Sequence, residues 1–324
     1  MDRKGRGDKL LQLAVSASNS GASNEALPER SQQDREWLTS AVDGFMNQGV
    51  NIVNNMKANV SLIHKSLKLE SFQDVKNIVA ALEDIADTCE NIDFACDLHK
   101  ISGFPVIIAC LRHENPKIRA EAANVLATCA QNNEYCQNQL LQLKVMTSLL
   151  KMTSMKESST VDPSEDLVAV KAIYAVSCMV RQNQACYEEF KSLDGYSFLV
   201  RALQSSSEKV KMKALFLLFS LCESNNDSFD YIFKMGFVIQ VVAELIGSKT
   251  QLFIEFSLRL LVILTSEHPG MKETLRTQTN GLQKFLNDLP SQKDMWVDQD
   301  EIQAACYKLQ DTIFSSINED DSER

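Results

Sequence analysis

Residues 167–181 read LVAVKAIYAVSCMVR. Their apolar positions never settle into period-2 alternation, no Gly or Pro interrupts them, and the few polar ones recur at helical spacing, so the stretch reads as a helix. Lys171, Tyr174, Cys178 and Arg181 stand at i, i+3, i+7 and i+10 and form one stripe along its side. Everything off that stripe is apolar or small. A helix so apolar must be covered on nearly every side, which puts it inside a stack with one narrow face left open.

Three other stretches repeat the pattern. IRAEAANVLATCA (118–130), VKMKALFLLFSLC (210–222) and FIEFSLRLLVILT (253–265) align with it without gaps, and place Ala122, Ala172, Ala214 and Ser257 at equivalent positions, 50, 42 and 43 residues apart. A second mark precedes these helices: ISGFPVIIACL, LQLKVMTSLL, LDGYSFLVRAL and KMGFVIQVVAEL. Gly103, Gly195 and Gly236 head three of them, and Lys144 departs from the pattern in the other. The long step holds an insert, TSMKESSTVDPSED (153–166). A short helix, a Gly-led helix and a long apolar helix at this period indicate stacked armadillo or HEAT units, which cannot bury their faces alone. The expected fold is all-α: an armadillo-like right-handed superhelical solenoid with N- and C-terminal capping helices, forming one elongated body.

The punctuation sets the boundaries. Residues 1–30 carry one apolar cluster, Leu10, Leu11, Leu13 and Val15, then SNSGASNEALPER, and read as a flexible segment. Within 31–70, Ser31 to Asp34 opens a helix carrying Trp37, Leu38, Ala41, Val42, Phe45 and Met46, and a second helix uses Ile52, Met56, Val60, Ile63 and Leu67. Repeats are expected over 71–292, beginning with a degenerate one that starts at Ser71–Asp74. Asn115–Pro116 and Asp162–Pro163 each pair a capping side chain with Pro at the first helical position. Gly247 is expected to end a helix in the left-handed conformation, and Pro269 and Pro290 to mark later stops. A capping helix over 293–317, with Ile302, Ala305, Cys306, Leu309 and Ile313 on one face, precedes the acidic tail 318–324.

Composition narrows the function. The net charge of −10 argues against nucleic acid, whose phosphates need clustered cations. With 44% hydrophobic residues a core is readily built, yet no run approaches a membrane span. The nine cysteines form no C-x-x-C pair and fall inside apolar patterns, so they read as buried free thiols in a reducing compartment. The histidines, 64, 99, 113 and 268, lack ligand spacing, so neither a metal nor a cofactor is expected. No nucleophile elbow, P-loop or G-x-G-x-x-G is present. A binding scaffold, not an enzyme, is the expected class.

In such a stack the open stripes line the concave face, where one partner touches several repeats. They read Glu121, Asn124, Thr128, Gln131; Lys171, Tyr174, Cys178, Arg181; Lys213, Phe216, Ser220, Glu223; and Phe256, Arg259, Ile263, Ser266. Importin-like armadillo proteins instead carry an inner ladder of Asn, and at those positions this chain has Thr128, Cys178, Ser220 and Ile263. Docking of a folded domain therefore fits better than reading of an extended peptide in that concavity.

TCENIDFACDLHKISGF (88–104), ATCAQNN (127–133), KAIYAVSCMVRQNQ (171–184), FKSLDGYSFLVRALQ (190–204) and the terminal TIFSSINEDDSER resemble the heat-shock-protein-70-binding protein family across nearly the whole chain. The resemblance implies a cytosolic armadillo co-chaperone, monomeric and bound to no membrane. It would clasp lobe II of the ATPase domain of a heat-shock protein 70 chaperone and accelerate ADP release. It further implies contacts at Ala95, small at a close approach, and at Lys171, Arg181 and Lys213, whose cations would meet acidic groups. Glu121 and Arg259 lie on the same face. Leu10, Leu11, Leu13 and Val15 would form a client-release segment acting on the client-binding domain. Lumenal relatives need a cleavable signal and usually a retention tail, neither of which is read here, so the cytoplasm is expected. The rival reading is an armadillo adaptor that tethers partners without altering nucleotide exchange.

Overall fold

The computed structural model describes residues 32–69, 75–153, 163–225, 227–279, 281–291 and 299–314. Among them are 17 α-helices, one 3-10 turn and no strand. The segments expected at 1–30 and 318–324, with Leu10, Leu11, Leu13 and Val15, lie outside the described residues, as do Ser71–Asp74, Asp162 and most of the insert. No helix among the described residues is long and apolar enough to cross a membrane.

The chain divides into two units, Met1–Ile52 and Val53–Arg324. Helix α1, Gln32–Leu69, runs on where two helices were expected. Gly49 is the only breaker between the two apolar sets, and one Gly costs a helix only ~1 kcal/mol. Within the second unit α1 buries Met56 and Ile63.

Helix α2, Val75–Thr88, follows, and then five triplets. They are α3 (Ile92–Lys100), α4 (Gly103–Cys110), α5 (Pro116–Ala130); α6 (Glu134–Gln142), α7 (Met146–Thr153), α8 (Pro163–Val180); α9 (Gln184–Ser192), α10 (Gly195–Leu203), α11 (Glu208–Ser224); α12 (Ser228–Lys234), α13 (Phe237–Gly247), α14 (Gln251–Glu267); and α15 (Pro269–Gln278), α16 (Leu282–Asp288), α17 (Gln299–Phe314). The long third helices α2, α5, α8, α11, α14 and α17 pack in series, each on the next. The helix expected as a C-terminal cap also forms the third helix of a fifth triplet. Its apolar side, Ile302, Cys306, Leu309 and Ile313, is buried like the others.

Small residues govern that stacking. Ala122, Ala172, Ala214 and Ser257 are fully buried at equivalent positions, so neighbouring helices approach closely there. Around them Ile173, Val176 and Met179 of α8 bury side chains that contribute roughly 1.5–3 kcal/mol each. Asn115 caps α5, its side chain accepting the Lys117 N–H, and Pro116 occupies the first turn. Pro269 stands just beyond α14 and opens α15.

At two of its three positions the glycine mark has a steric cause. The residue between first and second helices is left-handed in every triplet: Ser102, Lys144, Asp194, Gly236 and Gly281, with φ of 60°, 53°, 56°, 67° and 84°. Lys144 therefore keeps the common geometry. Gly103 and Gly195 sit one position later, where a Cβ would come within 2.4 Å of Leu98 and 2.3 Å of the Phe190 ring. Gly247 is helical to the end of α13, and the chain leaves through Ser248 in an extended conformation rather than a left-handed turn.

A buried amide spans two triplets. Gln137 of α6 donates through Nε2 to the carbonyls of Ala130 (3.1 Å), Cys178 (2.9 Å) and Arg181 (3.3 Å). Its Oε1 accepts from Asn183 Nδ2 at 3.1 Å. Asn133 and Asn183 meanwhile cap α6 and α9, accepting the N–H of Cys136 and Cys186. Carbonyls left over at the ends of α5 and α8 are thereby both satisfied from α6, the helix that follows the first and precedes the second.

Ser257 departs from the Ala pattern at a cost, because its buried Oγ has no hydrogen-bond partner among the described residues. Ser257→Ala is expected to stabilise the fold by ~1 kcal/mol, the cost of desolvating an unpaired hydroxyl. Gly195→Ala is expected to lose ~1–3 kcal/mol through overpacking against Phe190. Urea denaturation of the two variants checks both signs.

Candidate functional site

The third-helix stripes join into one surface. On α5 and α8, Lys171 Nζ donates to Asn124 Oδ1 at 2.9 Å, and Asn124 Nδ2 donates to Glu121 Oε2 at 3.2 Å. Tyr174 donates its hydroxyl to Gln131 Oε1 at 2.9 Å. Lys213 of α11 lies 5.6 Å from the centroid of the Tyr174 ring. Arg181 stands 5.8 Å from that of Phe216, whose ring meets Phe256 edge-on at 5.6 Å. Arg259 of α14 lies over Phe219 and Phe256 and pairs with Glu255 at 3.4 Å. Three third helices, α8 with Arg181 just past its end, α11 and α14, therefore carry a ribbon that alternates cations with aromatic rings, and α5 adds the polar groups of Glu121, Asn124 and Gln131 beside it.

Two hollows open onto this ribbon. One, of about 450 Å³, is lined by Asp87 and Glu90 on one side and Asn124, Thr128, Gln131 and Tyr174 on the other. The second, of about 140 Å³, lies between Tyr174, Arg181, Lys213 and Phe216. Thr128 and Ser266 donate their hydroxyls to carbonyls of their own helices, which leaves the cations, amides and rings as the working groups.

Five of the expected contact residues, Glu121, Lys171, Arg181, Lys213 and Arg259, share this surface. Lys213 and Arg181 are exposed, whereas Lys171 and Glu121 are half-buried and already bonded to Asn124. Ala95 is placed differently. It lies on α3 rather than on a third helix, is 1% exposed, and lines the larger hollow. Its contribution is to the shape of that hollow, since so buried a methyl offers little surface of its own. Asp87 and Glu90 escaped the sequence reading because α2 passed for a degenerate repeat whose stripe was not drawn. Aligning α2 with the other third helices supplies the missing signal.

The thiols do not activate. Burial pushes Cys178 up to about 11, and Cys110 and Cys222 up to about 12. Burial also raises Tyr174 to about 12, so its phenol stays protonated and keeps donating to Gln131. Three of the four histidines hold structure: His113 Nδ1 accepts the Asn115 N–H, His268 Nδ1 accepts that of Gly270, and His99 bonds the Tyr135 hydroxyl at 2.7 Å.

Comparison with known proteins places this geometry. Residues 94–231 match the family described as SIL1/FES1/HPBP1 C-terminal domain, and residues 8–98 match the one described as nucleotide exchange factor Fes1. The chain is 31% identical over 324 residues to Hsp70-binding protein 1 of Mus musculus, covering 97% of this chain and 87% of that protein. It is 24% identical over 258 residues to the Hsp70 nucleotide exchange factor FES1 of Kluyveromyces lactis, covering 76% of this chain and 81% of the other. Among solved structures, a designed armadillo repeat protein superposes with a TM-score of 0.61 at 15% identity, over 80% of this chain and 99% of that one. That likeness establishes the armadillo fold.

A thiol titrating near 11 instead of its ordinary 9 holds a hundredfold less thiolate at pH 8. Iodoacetamide is therefore expected to modify Cys178 ~100-fold more slowly in the native protein than in urea at pH 8, with the native rate climbing about tenfold per pH unit and levelling only near 11. Mass spectrometry of timed samples reads this.

Proposed function

The chain belongs to the family of Hsp70-binding protein 1 and the Fes1 exchange factors, and from that premise we propose that it is a nucleotide exchange factor for heat-shock protein 70 chaperones. In this reading the third-helix face binds the chaperone's ATPase domain at lobe II, and the bulk of the stack displaces lobe I. The nucleotide cleft opens and ADP leaves. ATP then rebinds and the client is discharged. The chain performs no bond-breaking step of its own and works as a monomer in the cytosol. The segment with Leu10, Leu11, Leu13 and Val15 acts on the client-binding domain.

The observation that carries this reading is the cation–aromatic ribbon, continuous from Lys171 through Lys213 and Arg181 to Arg259. Arg and aromatic side chains are the usual anchors of protein interfaces, and a row across three helices suits a folded domain better than a single side chain. Cations standing over rings are less hydrated than free ones, so they give up less on meeting a carboxylate. The energetics are those of population shift. The factor binds the open, nucleotide-poor chaperone more tightly than the closed one, and by linkage factor and ADP weaken each other's affinity equally.

Stopped-flow release of a fluorescent ADP analogue from a cytosolic heat-shock protein 70 tests this directly. The chain is expected to accelerate release. Lys213→Glu is expected to raise the concentration needed for half the effect at least tenfold, or ~1.4 kcal/mol. Unchanged release despite tight binding would replace exchange with simple tethering of partners. Unchanged potency of Lys213→Glu would move the contact off this face.

A further inference from the structure

A second charged hollow lies away from the ribbon and shares no lining residue with it. It measures about 850 Å³ and sits where α4 ends, α7 runs and α8 begins. Arg112, Lys144 and Lys151 line it, with Thr147 and Ser148 between the two lysines. Positions 147, 148 and 151 follow helical spacing and fall on one side of α7, and Lys144 stands in the left-handed turn just ahead of that helix.

Arg119 forms the wall rather than a binding group. Its guanidinium donates to Glu165 Oε1 at 2.5 Å and to the carbonyls of His113 and Glu114 at 2.8 and 2.7 Å. Arg112, Lys144 and Lys151 by contrast make no hydrogen bond or ion pair with their side chains among the described residues, although Glu189 feels the charge of Lys144. Glu114 is the one lining carboxylate outside the Arg119 pair. Three available cations against one carboxylate is a local reversal of a chain whose net charge is −10.

We propose that this hollow docks an extended acidic peptide segment of a partner protein. Arg112, Lys144 and Lys151 come from three places in the chain, just past the end of α4, the turn before α7 and α7 itself, and line one hollow of about 850 Å³. One small anion neither fills that space nor neutralises three cations, whereas carboxylates carried in series on an extended chain, ~3.3 Å per residue, meet them in turn. The hydroxyls of Thr147 and Ser148 lie between, ready to bond the peptide's polar groups, and Leu111, Met152 and Val168 offer apolar lining for an intervening aliphatic side chain. A nucleic acid fits poorly, because a chain of net charge −10 repels the phosphates that continue past the three cations.

Fluorescence anisotropy with the full chain and a labelled Asp-Leu-Glu-Glu-Leu-Asp peptide tests the proposal. The peptide is expected to bind, and Arg112→Glu with Lys151→Glu is expected to weaken it at least tenfold, with Arg112→Gln and Lys151→Gln intermediate. Lys213→Glu on the ribbon is expected to leave peptide affinity unchanged, and the Arg112/Lys151 variant to leave the thermal melt unchanged because both side chains are exposed. The proposal is overturned if no binding is seen at ~1 mM, a concentration that even a contact of ~4 kcal/mol would register. Equal affinity for Asn-Leu-Gln-Gln-Leu-Asn, equal affinity of the double variant, competition by inorganic phosphate at the peptide's own concentration, or stronger displacement by a DNA oligomer each overturn it too.

Discussion

The buried side chain of Gln137 is the constraint on which the middle of the stack depends. A stack of apolar helices joined only by burial has little to stop one triplet sliding or rotating on the next, because the hydrophobic effect is not directional. Gln137 supplies direction. It reaches from α6 to carbonyls at the ends of both α5 and α8 and accepts from the Asn183 that caps α9. Losing it would strand several buried polar groups at once, each costing ~1–3 kcal/mol. The register between the two triplets is thus set by hydrogen bonds, and its tightness by the small residues at 122 and 172.

That register places the functional surface. Arg181, whose carbonyl Gln137 holds, directs its guanidinium towards Phe216 of the next third helix, and Lys171 reaches back to Asn124 of the previous one. Each working cation is oriented by a neighbour from another triplet, so the ribbon exists only in the stacked state. Its groups lose less freedom on meeting a partner than loose surface lysines would, since much of that ordering has already occurred on folding. Arg112 and Lys151 are held by no such neighbour, and their hollow relies on charge and span instead.

The repeat, the helical class and the direction of the open stripe were legible in the sequence because they are local and periodic. Thr, Cys, Ser and Ile at 128, 178, 220 and 263 were enough to separate this face from an Asn ladder. Where the reading went astray, a longer-range cause was at work. One Gly at 49 did not divide α1, because nothing in the surrounding helix required a break. The glycines at 103 and 195 were visible as a repeated mark, but their reason, the approach of Leu98 and Phe190, lies in the packing, while Lys144 and Asp194 take the left-handed turn.

Periodicity along the chain therefore determined the architecture and named Lys171, Arg181 and Lys213 as members of one face. Only the tertiary structure decided what those residues do there: Lys171 is tied to Asn124, Lys213 stands over Tyr174, and Asp87, Glu90 and Ala95 share a hollow with an amide wall. Helical spacing fixes which residues share a side of one helix, whereas the meeting of side chains some 40 positions apart depends on the register between helices. That register is set by Gln137, Asn183 and the buried alanines, whose effect is spread over several triplets and leaves no periodic trace in the sequence.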